Sequence, residues 1–360
     1  MTRGSAAEAM GKFRVAISGD FLKADGTPAY PMFDLGPLRA DPSIELLHVA
    51  PVDGRMPAEE LRGFDALILL AARFEASSVP GDGRLALVAR FGVGYDNVDL
   101  AACTEAGIAV AITPDGVRRP VAVSILTFML ALAGRLFDKD RLARKGPPGW
   151  AERGAFMGVG LTGRTFGQLG VGNIGRDVLG LLQPFDMRRI AHDPHVEPAS
   201  IRALGVEPVS IERLFQESDF LSVSVPLSAE TQGIVSAERI ALMKPSAFLI
   251  NTARGPVVDQ AALTAALAER RIAGAGIDVF EIEPSPADTP LLQLDNVIVT
   301  PHSLCWTDEC FAGIGAGDVK ATLAVKSGRA PDTVVNRAVL TRPQWTARLA
   351  RLREQFGGER

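Results

Sequence analysis

Cysteine is scarce in this 360-residue chain, with Cys103, Cys305 and Cys310 making up the whole set. An odd, widely spaced trio offers neither a disulfide framework nor a thiolate zinc site, and it suits a reducing, cytoplasmic setting. Positive charge is not in excess either. Thirty-eight Lys and Arg against 42 Asp and Glu leave a net charge of −4, which lacks the basic surplus of a nucleic-acid binder. The longest apolar run, VAVSILTFMLALAG at 121–134, is too short to span a bilayer and carries Ser124 and Thr127, so it reads as a helix buried between layers. Residues 1–13, MTRGSAAEAMGKF, hold no apolar core of the kind a signal peptide needs. No internal repeat or low-complexity tract is present.

What recurs is a short β-rich run followed by a helical pattern. FRVAIS (13–18), IELLHV (44–49), DALILLAA (65–72) and LALVARF (85–91) read as buried strands. A second series runs through RTFGQLG (164–170), RRIAHD (188–193), DFLSVSV (219–225), SAFLIN (246–251), AGAGID (273–278) and NVIVT (296–300). Helical patterns such as DQAALTAALAERR (259–271) separate them. Near-continuous apolar strands alternating with helices imply parallel sheets covered on both faces. The two series predict two α/β domains, linked by a helix over 120–136 with Pro120 in its first turn, where no backbone N–H is needed. A return crossing near 304 would place the helix at about 306–326 on the first domain, and the polar C-terminal stretch reads as a surface helix with a frayed end.

The stretch LGVGNIGRDV (169–178) spaces Gly170, Gly172 and Gly175 as G-x-G-x-x-G, after a strand and at the start of a helix. Gly170 permits the tight turn, Gly172 lets a pyrophosphate approach the backbone, and Gly175 lets the helix pack on the strand. The helix N-terminus offers unpaired N–H groups to phosphates. The next strand ends at Asp193, whose carboxylate can accept from both ribose hydroxyls and would repel a 2′-phosphate, favouring NAD over NADP. A plain glycine turn with an exposed aspartate is the alternative.

Three further segments carry polar residues just past strand ends, where ligands bind in open parallel sheets. They are INTARGPVVD (250–259) with Arg254, GIDVFEIEP (276–284) with Asp278 and Glu283, and DNVIVTPHS (295–303) with His302. Arg254 can hold a carboxylate with a forked pair of hydrogen bonds and polarise the adjacent carbonyl. His302 can pass a proton to that carbonyl as hydride arrives, or remove it in reverse, and Glu283 can orient the ring. Singly, each has an ordinary reading: a surface ion pair, a turn carboxylate, a loop histidine.

With these segments the chain resembles the D-2-hydroxyacid dehydrogenase family, which includes phosphoglycerate dehydrogenases and glyoxylate/hydroxypyruvate reductases, over roughly residues 60–336. ARFGVGYDNVDL (89–100), VPLSAET (225–231), MKPSAFLINTARG (243–255), DVFEIEP (278–284) and TPH (300–302) carry the resemblance. It implies two Rossmann-like, doubly wound domains with a cleft between them. A flavodoxin-like substrate domain would be built from 1–117 and 304–336, with an NAD-binding domain over 118–303 and a surface helix and tail over 337–360. It implies catalytic roles for Arg254, Glu283 and His302, and carboxylate binding by the backbone amides of Val93 and Gly94. Cofactor contacts are implied at Gly170, Gly172, Asn173, Ile174, Gly175, Asp193, Pro226, Thr231, Thr252 and Asp278. It also implies a homodimer with 120–160 in the interface. The expected activity is hydride transfer between NAD and C2 of a small 2-hydroxy or 2-oxo acid, with no metal. An NAD(H)-sensing, corepressor-like interaction protein on the same fold is the rival.

The chain departs from the family pattern in places. Val121-Ala122-Val123 and Ile125 stand in the linking helix, RRP at 118–120, Gln168 in the glycine-loop strand, and SLCWTDEC at 303–310. Arg73, Arg118 and Arg119 are candidates to contact an acidic substituent of the substrate, and Trp306 to wall its pocket. His192 and His195 read as the edge of an adenosine pocket, and His48 as a core or edge histidine.

Overall fold

The computed structural model describes residues 11–357, so most of the N-terminal segment read above for a signal peptide and the last three residues lie outside the described residues. Two compact units divide the chain. One runs to Val117 and resumes at Thr307, and the other is Arg118–Trp306.

The first unit holds a five-stranded sheet of β1 (Phe13–Ser18), β2 (Ile44–Val49), β3 (Ala66–Leu69), β4 (Leu87–Arg90) and β5 (Ala109–Ala111), in the order β2-β1-β3-β4-β5. Every pairing is parallel. This is the flavodoxin-like order. The second unit holds β6 (Thr165–Leu169), β7 (Arg188–His192), β8 (Glu207–Pro208), β9 (Phe220–Val223), β10 (Phe248–Asn251), β11 (Gly274–Ile277) and β12 (Val297–Val299). Read from β8, the sheet runs β8-β7-β6-β9-β10-β11-β12. Its first six strands follow the Rossmann order 3-2-1-4-5-6. The strands sit where the apolar runs predict them. The three-residue β5 and two-residue β8, too short to show a period, went unread.

Alternation along the buried strands feeds two cores in the second unit. Phe166, Phe220 and Ile250 join Ile125, Phe128 and Met129 on one face. Their chain neighbours Leu221 and Leu249 join Leu263 and Leu267 on the other. Gly276 makes the first contact possible, because a Cβ there would lie 2.6 Å from the Phe128 ring.

The helix expected from 120 begins at Pro114 and runs to Gly134, so Pro120 sits inside it rather than in its first turn. Pro114 supplies the helix start instead. The lost amide bond at Pro120 is outweighed by burial of Ala122, Ile125, Phe128 and Met129. At 21 residues this helix is long and apolar enough to cross a membrane by those measures alone, but 67% of its apolar window is buried inside the fold. It is a core helix here.

The C-terminal helix Pro343–Phe356 is more than a surface element, since Trp345 and Leu352 are 1% and 0% exposed. Arg351 reaches the fully buried Asp65 at 2.8 Å. Asp65 also accepts from Arg84 Nε at 3.0 Å and Nη2 at 2.7 Å, and from the Arg14 amide at 3.0 Å. Only the carboxylate is fully buried; the Arg84 and Arg351 side chains are 30% and 39% exposed and can turn to water without it. Asp65→Ala should therefore cost about 1–2 kcal/mol in the unfolding transition of this unit, followed by chemical denaturation. A loss below about 0.5 kcal/mol, the range of neutral surface changes, would show that the helix docks without this network.

Candidate functional site

The glycine loop joins β6 to the helix Asn173–Leu181. Gly170 has φ +90°, and a Cβ there would lie 2.6 Å from the Ser224 carbonyl oxygen; at Gly175 it would lie 2.1 Å from the Gly170 oxygen. Both positions exclude a side chain for reasons internal to the fold. Gly172 differs: nothing lies within 4 Å of a Cβ built there. The helix's first i→i−4 bond is Arg176 N to Gly172 O, so the amides of Asn173, Ile174 and Gly175 have no intrahelical acceptor. Open space beside three donors and a helix N-terminus fits a dinucleotide pyrophosphate.

Asp193 lies beside this loop. Its Oδ2 accepts from the Val171 amide at 2.8 Å and its Oδ1 from the His195 amide at 2.9 Å. One side chain thus ties the end of β7 to the loop after β6 and keeps lone pairs for ribose hydroxyls. Two braces were not read from the sequence as functional. Gln168 Nε2 donates to the carbonyls of Leu169 and Gly170 at 3.1 and 3.0 Å, and Arg176 Nε donates to Val171 O at 3.0 Å. The departure from the family pattern at Gln168, an amide that is fully buried, was the one signal in the sequence, and Arg176 had none.

Arg254, Glu283 and His302 come together in the second unit. His302 Nδ1 meets Glu283 Oε2 at 2.8 Å, while Glu283 Oε1 accepts from the Phe280 amide at 2.9 Å. Burial pushes the Glu283 carboxyl up, but the His302 contact, the Phe280 amide and the Arg254 charge outweigh it and hold Glu283 below its ordinary value of 4.5. Arg254 is brought close by backbone packing. A Cβ on Gly255 would lie 1.8 Å from the Phe280 carbonyl oxygen, so only glycine lets the 254–255 backbone press against the loop that carries Glu283. Asn251 fixes the turn before it, donating to Arg254 O at 3.0 Å and accepting from the Ala253 amide at 3.0 Å.

His302 has φ +51°, a left-handed conformation that costs a non-glycine residue about 1 kcal/mol. Asp278 supports it. The Asp278 carbonyl accepts the His302 amide at 2.7 Å. Its side chain, 3% exposed, takes Thr300 Oγ1 at 2.5 Å and the Ser303 and Leu304 amides at 3.0 and 3.2 Å, all on Oδ1. The resemblance implied a cofactor contact for Asp278; the observed hydrogen bonds shape the histidine loop.

Other residues named from sequence have settled environments. Thr231 Oγ1 donates to Pro226 O at 2.5 Å and closes a local turn. Thr252 is half-buried beside Asn251. In the first unit, neither the Val93 nor the Gly94 amide meets an acceptor among the described residues. Arg73 pairs with Glu75 at 3.3 Å, and Arg118 and Arg119 both pair with Asp177, at 2.7 and 2.9 Å. Ile125 is fully buried, so its side chain belongs to the core. Trp306 is 51% exposed. His192 Nδ1 contacts Val209 O at 2.9 Å, His195 is exposed, and His48 lies exposed on the edge strand β2. Among the described residues no group of His, Cys, Asp and Glu gathers that could hold a metal ion.

Comparison with known proteins places the chain in a family. The family model for the NAD-binding domain of D-isomer specific 2-hydroxyacid dehydrogenases matches residues 126–303. The chain is similar to a glyoxylate reductase of Thermococcus onnurineus, 39% identical over 289 residues, covering 78% of this chain and 86% of that one. It is also similar to a D-3-phosphoglycerate dehydrogenase of Methanocaldococcus jannaschii, 37% identical over 280 residues, covering 77% of this chain and 53% of that one. The solved structure of a 2-hydroxyacid dehydrogenase from Ketogulonicigenium vulgare superposes with a TM-score of 0.76 at 31% identity, covering 91% of this chain and 99% of that one.

The depressed Glu283 carboxyl has a consequence for stability. Its folded-state value lies below the unfolded one, so its contribution is present above pH 4.5 and is lost as pH falls through the folded value. The Tm advantage of wild type over Glu283→Gln should be largest near neutral pH and shrink as pH falls below 4.5. A difference constant from pH 7 to 3, measured by calorimetry, would remove the charge from the pair.

Proposed function

We propose, from the premise that the chain belongs to the D-isomer-specific 2-hydroxyacid dehydrogenases, NAD-dependent oxidoreductases acting on CH–OH donors, that its substrate is a small, unphosphorylated 2-oxo acid of the glyoxylate or hydroxypyruvate kind. The observation that carries this reading is the Glu283–His302 contact at 2.8 Å with Arg254 held close by. Bound NADH supplies the hydride to substrate C2. The His302 imidazolium donates a proton to the carbonyl oxygen, and Glu283 keeps the ring oriented. Arg254 binds the carboxylate and polarises the carbonyl. The Val93 and Gly94 amides bind the carboxylate oxygens. In the oxidative direction His302 takes the hydroxyl proton as the hydride leaves C2.

Cofactor contacts are assigned to Gly170, Gly172, Asn173, Ile174 and Gly175 at the pyrophosphate, to Asp193 at the ribose, and to Pro226, Thr231, Thr252 and Asp278 along the remainder. Asp193 favours NADH over NADPH, because a 2′-phosphate would face its charge. An unphosphorylated substrate is supported by the state of the three arginines that might have bound a phosphate group. Arg73, Arg118 and Arg119 each already pair with a carboxylate.

The protein works in the cytoplasm, a compartment that suits its thiols, none of them in a disulfide among the described residues, and as a homodimer. Four large apolar side chains between 136 and 157 support the dimer: Leu136, Phe137, Trp150 and Met157 are 57%, 51%, 60% and 79% exposed. Light scattering should give twice the chain mass, and Phe137→Glu should shift it toward one. A wild-type monomer at micromolar concentration would reject the dimer.

The reaction is tested by NADH oxidation against glyoxylate, hydroxypyruvate, pyruvate, phenylpyruvate and 3-phosphohydroxypyruvate, with NADPH in parallel. Turnover should be greatest with the small acids and with NADH. His302→Asn should lower kcat by about 10²–10⁴ while NADH binding persists. Preferred turnover of 3-phosphohydroxypyruvate would overturn the substrate reading, and a near-wild-type kcat in His302→Asn would overturn the acid/base assignment. Silence across the panel with NADH binding intact would favour a sensing role.

A further inference from the structure

The turn at 91–94 leads out of β4, and its polar groups are tied down from beneath. The Gly92 amide donates to Thr113 Oγ1 at 3.0 Å, and the Thr113 amide donates back to Gly92 O at 3.0 Å. Arg90 Nη1 donates to the Phe91 carbonyl. The guanidinium lies so close under Gly92, which has φ +122°, that a Cβ there would come within 2.3 Å of Nη1. The helix Asp308–Lys326 backs this arrangement. A Cβ on its Gly317 would sit 2.7 Å from Thr113 Cγ2. The next residue, Asp318, is fully buried, and neither of its carboxyl oxygens has a hydrogen-bond partner among the described residues.

A buried carboxyl without hydrogen bonds is costly and calls for a reason. Burial pushes Asp318 well above the usual carboxylate range, and the one charge opposing that shift is Arg90. Arg90 commits its Nη1 to the Phe91 carbonyl, which it turns inward. With the carbonyl of residue 91 turned in and both polar groups of Gly92 engaged by Thr113, the next amides along the chain, Val93 and Gly94, are the ones left to meet a ligand.

We propose that Arg90 and Thr113 are positioning residues for substrate recognition: Arg90 locks the 91–94 turn from below, Thr113 holds both polar groups of Gly92, and together they preset the Val93 and Gly94 amides for a carboxylate. This rests on the assignment of those amides as carboxylate donors. Neither residue touches the substrate, so loss of either weakens binding of the acid without altering proton or hydride transfer.

The test compares a 2-oxo acid with its neutral methyl ester, using full-length enzyme and saturating NADH. Wild type should prefer the acid. Arg90→Met should raise KM for the acid about tenfold, with kcat within threefold, with NADH binding unchanged, and with KM for the ester little affected. Arg90→Lys should recover part of the loss. Thr113→Val, close to isosteric and able to decide the matter should Arg90→Met fail to fold, should shift KM in the same direction by a smaller factor. Variants that lose Tm or kcat while the acid-over-ester ratio stays at its wild-type value would overturn the proposal and leave the turn's role standing. A wild type indifferent between acid and ester would overturn both.

Discussion

Asp278 sits at the end of β11, almost wholly buried, with one carboxylate oxygen accepting from Thr300, Ser303 and Leu304 and its carbonyl accepting from His302. The chain leaving β12 must bend around this carboxylate, and the bend is what forces His302 into a left-handed conformation. Without that bend the imidazole would have no fixed relation to Glu283, which is itself held at the other oxygen by the Phe280 amide. A hydrogen-bonded carboxylate in a low-dielectric setting is a stiff constraint. The placement of the His302 ring beside Glu283 depends on it.

The same economy of space governs the rest of the second unit. Gly255 lets one loop lie against another at a distance that no side chain would permit, and Gly170 and Gly175 do so in the turn after β6. Gly172 is the exception, since nothing among the described residues crowds it. Three glycines in one motif thus stand in different surroundings, two packed against the chain and one beside open space.

Much of this was legible beforehand. Parallel strands with continuous apolar runs announced themselves at β1, β2, β6 and β9, and Arg254, Glu283 and His302 stood out because each follows a strand end. The helix start at Pro114 was not legible. A proline at 120 argues locally for a beginning, and only burial of the apolar side chains that follow overrides it. Nor was the docking of the C-terminal helix, whose polar sequence hides the fully buried Leu352 and the bond from Arg351 to Asp65. The arginines at 73, 118 and 119 read as free cations because their carboxylate partners could not be seen from their own neighbourhood. Asp177 lies nearly sixty residues from Arg118 in the chain.

By itself, the sequence determined the elements and their chemistry: which segments are strands, where the chain turns tightly, and which side chains carry charge or a titratable ring. Those are local properties, set by periodicity, by glycine's lack of a Cβ and by the kind of functional group. Only the tertiary structure decided pairings: that Glu283 rather than another acid meets His302, that Asp278 Oδ1 gathers the amides of the histidine loop, and that Arg90 turns to the carbonyl of Phe91. Hydrogen bonds and ion pairs act over a few ångströms in space without regard to separation along the chain. Which groups come within that range is a property of the packed fold.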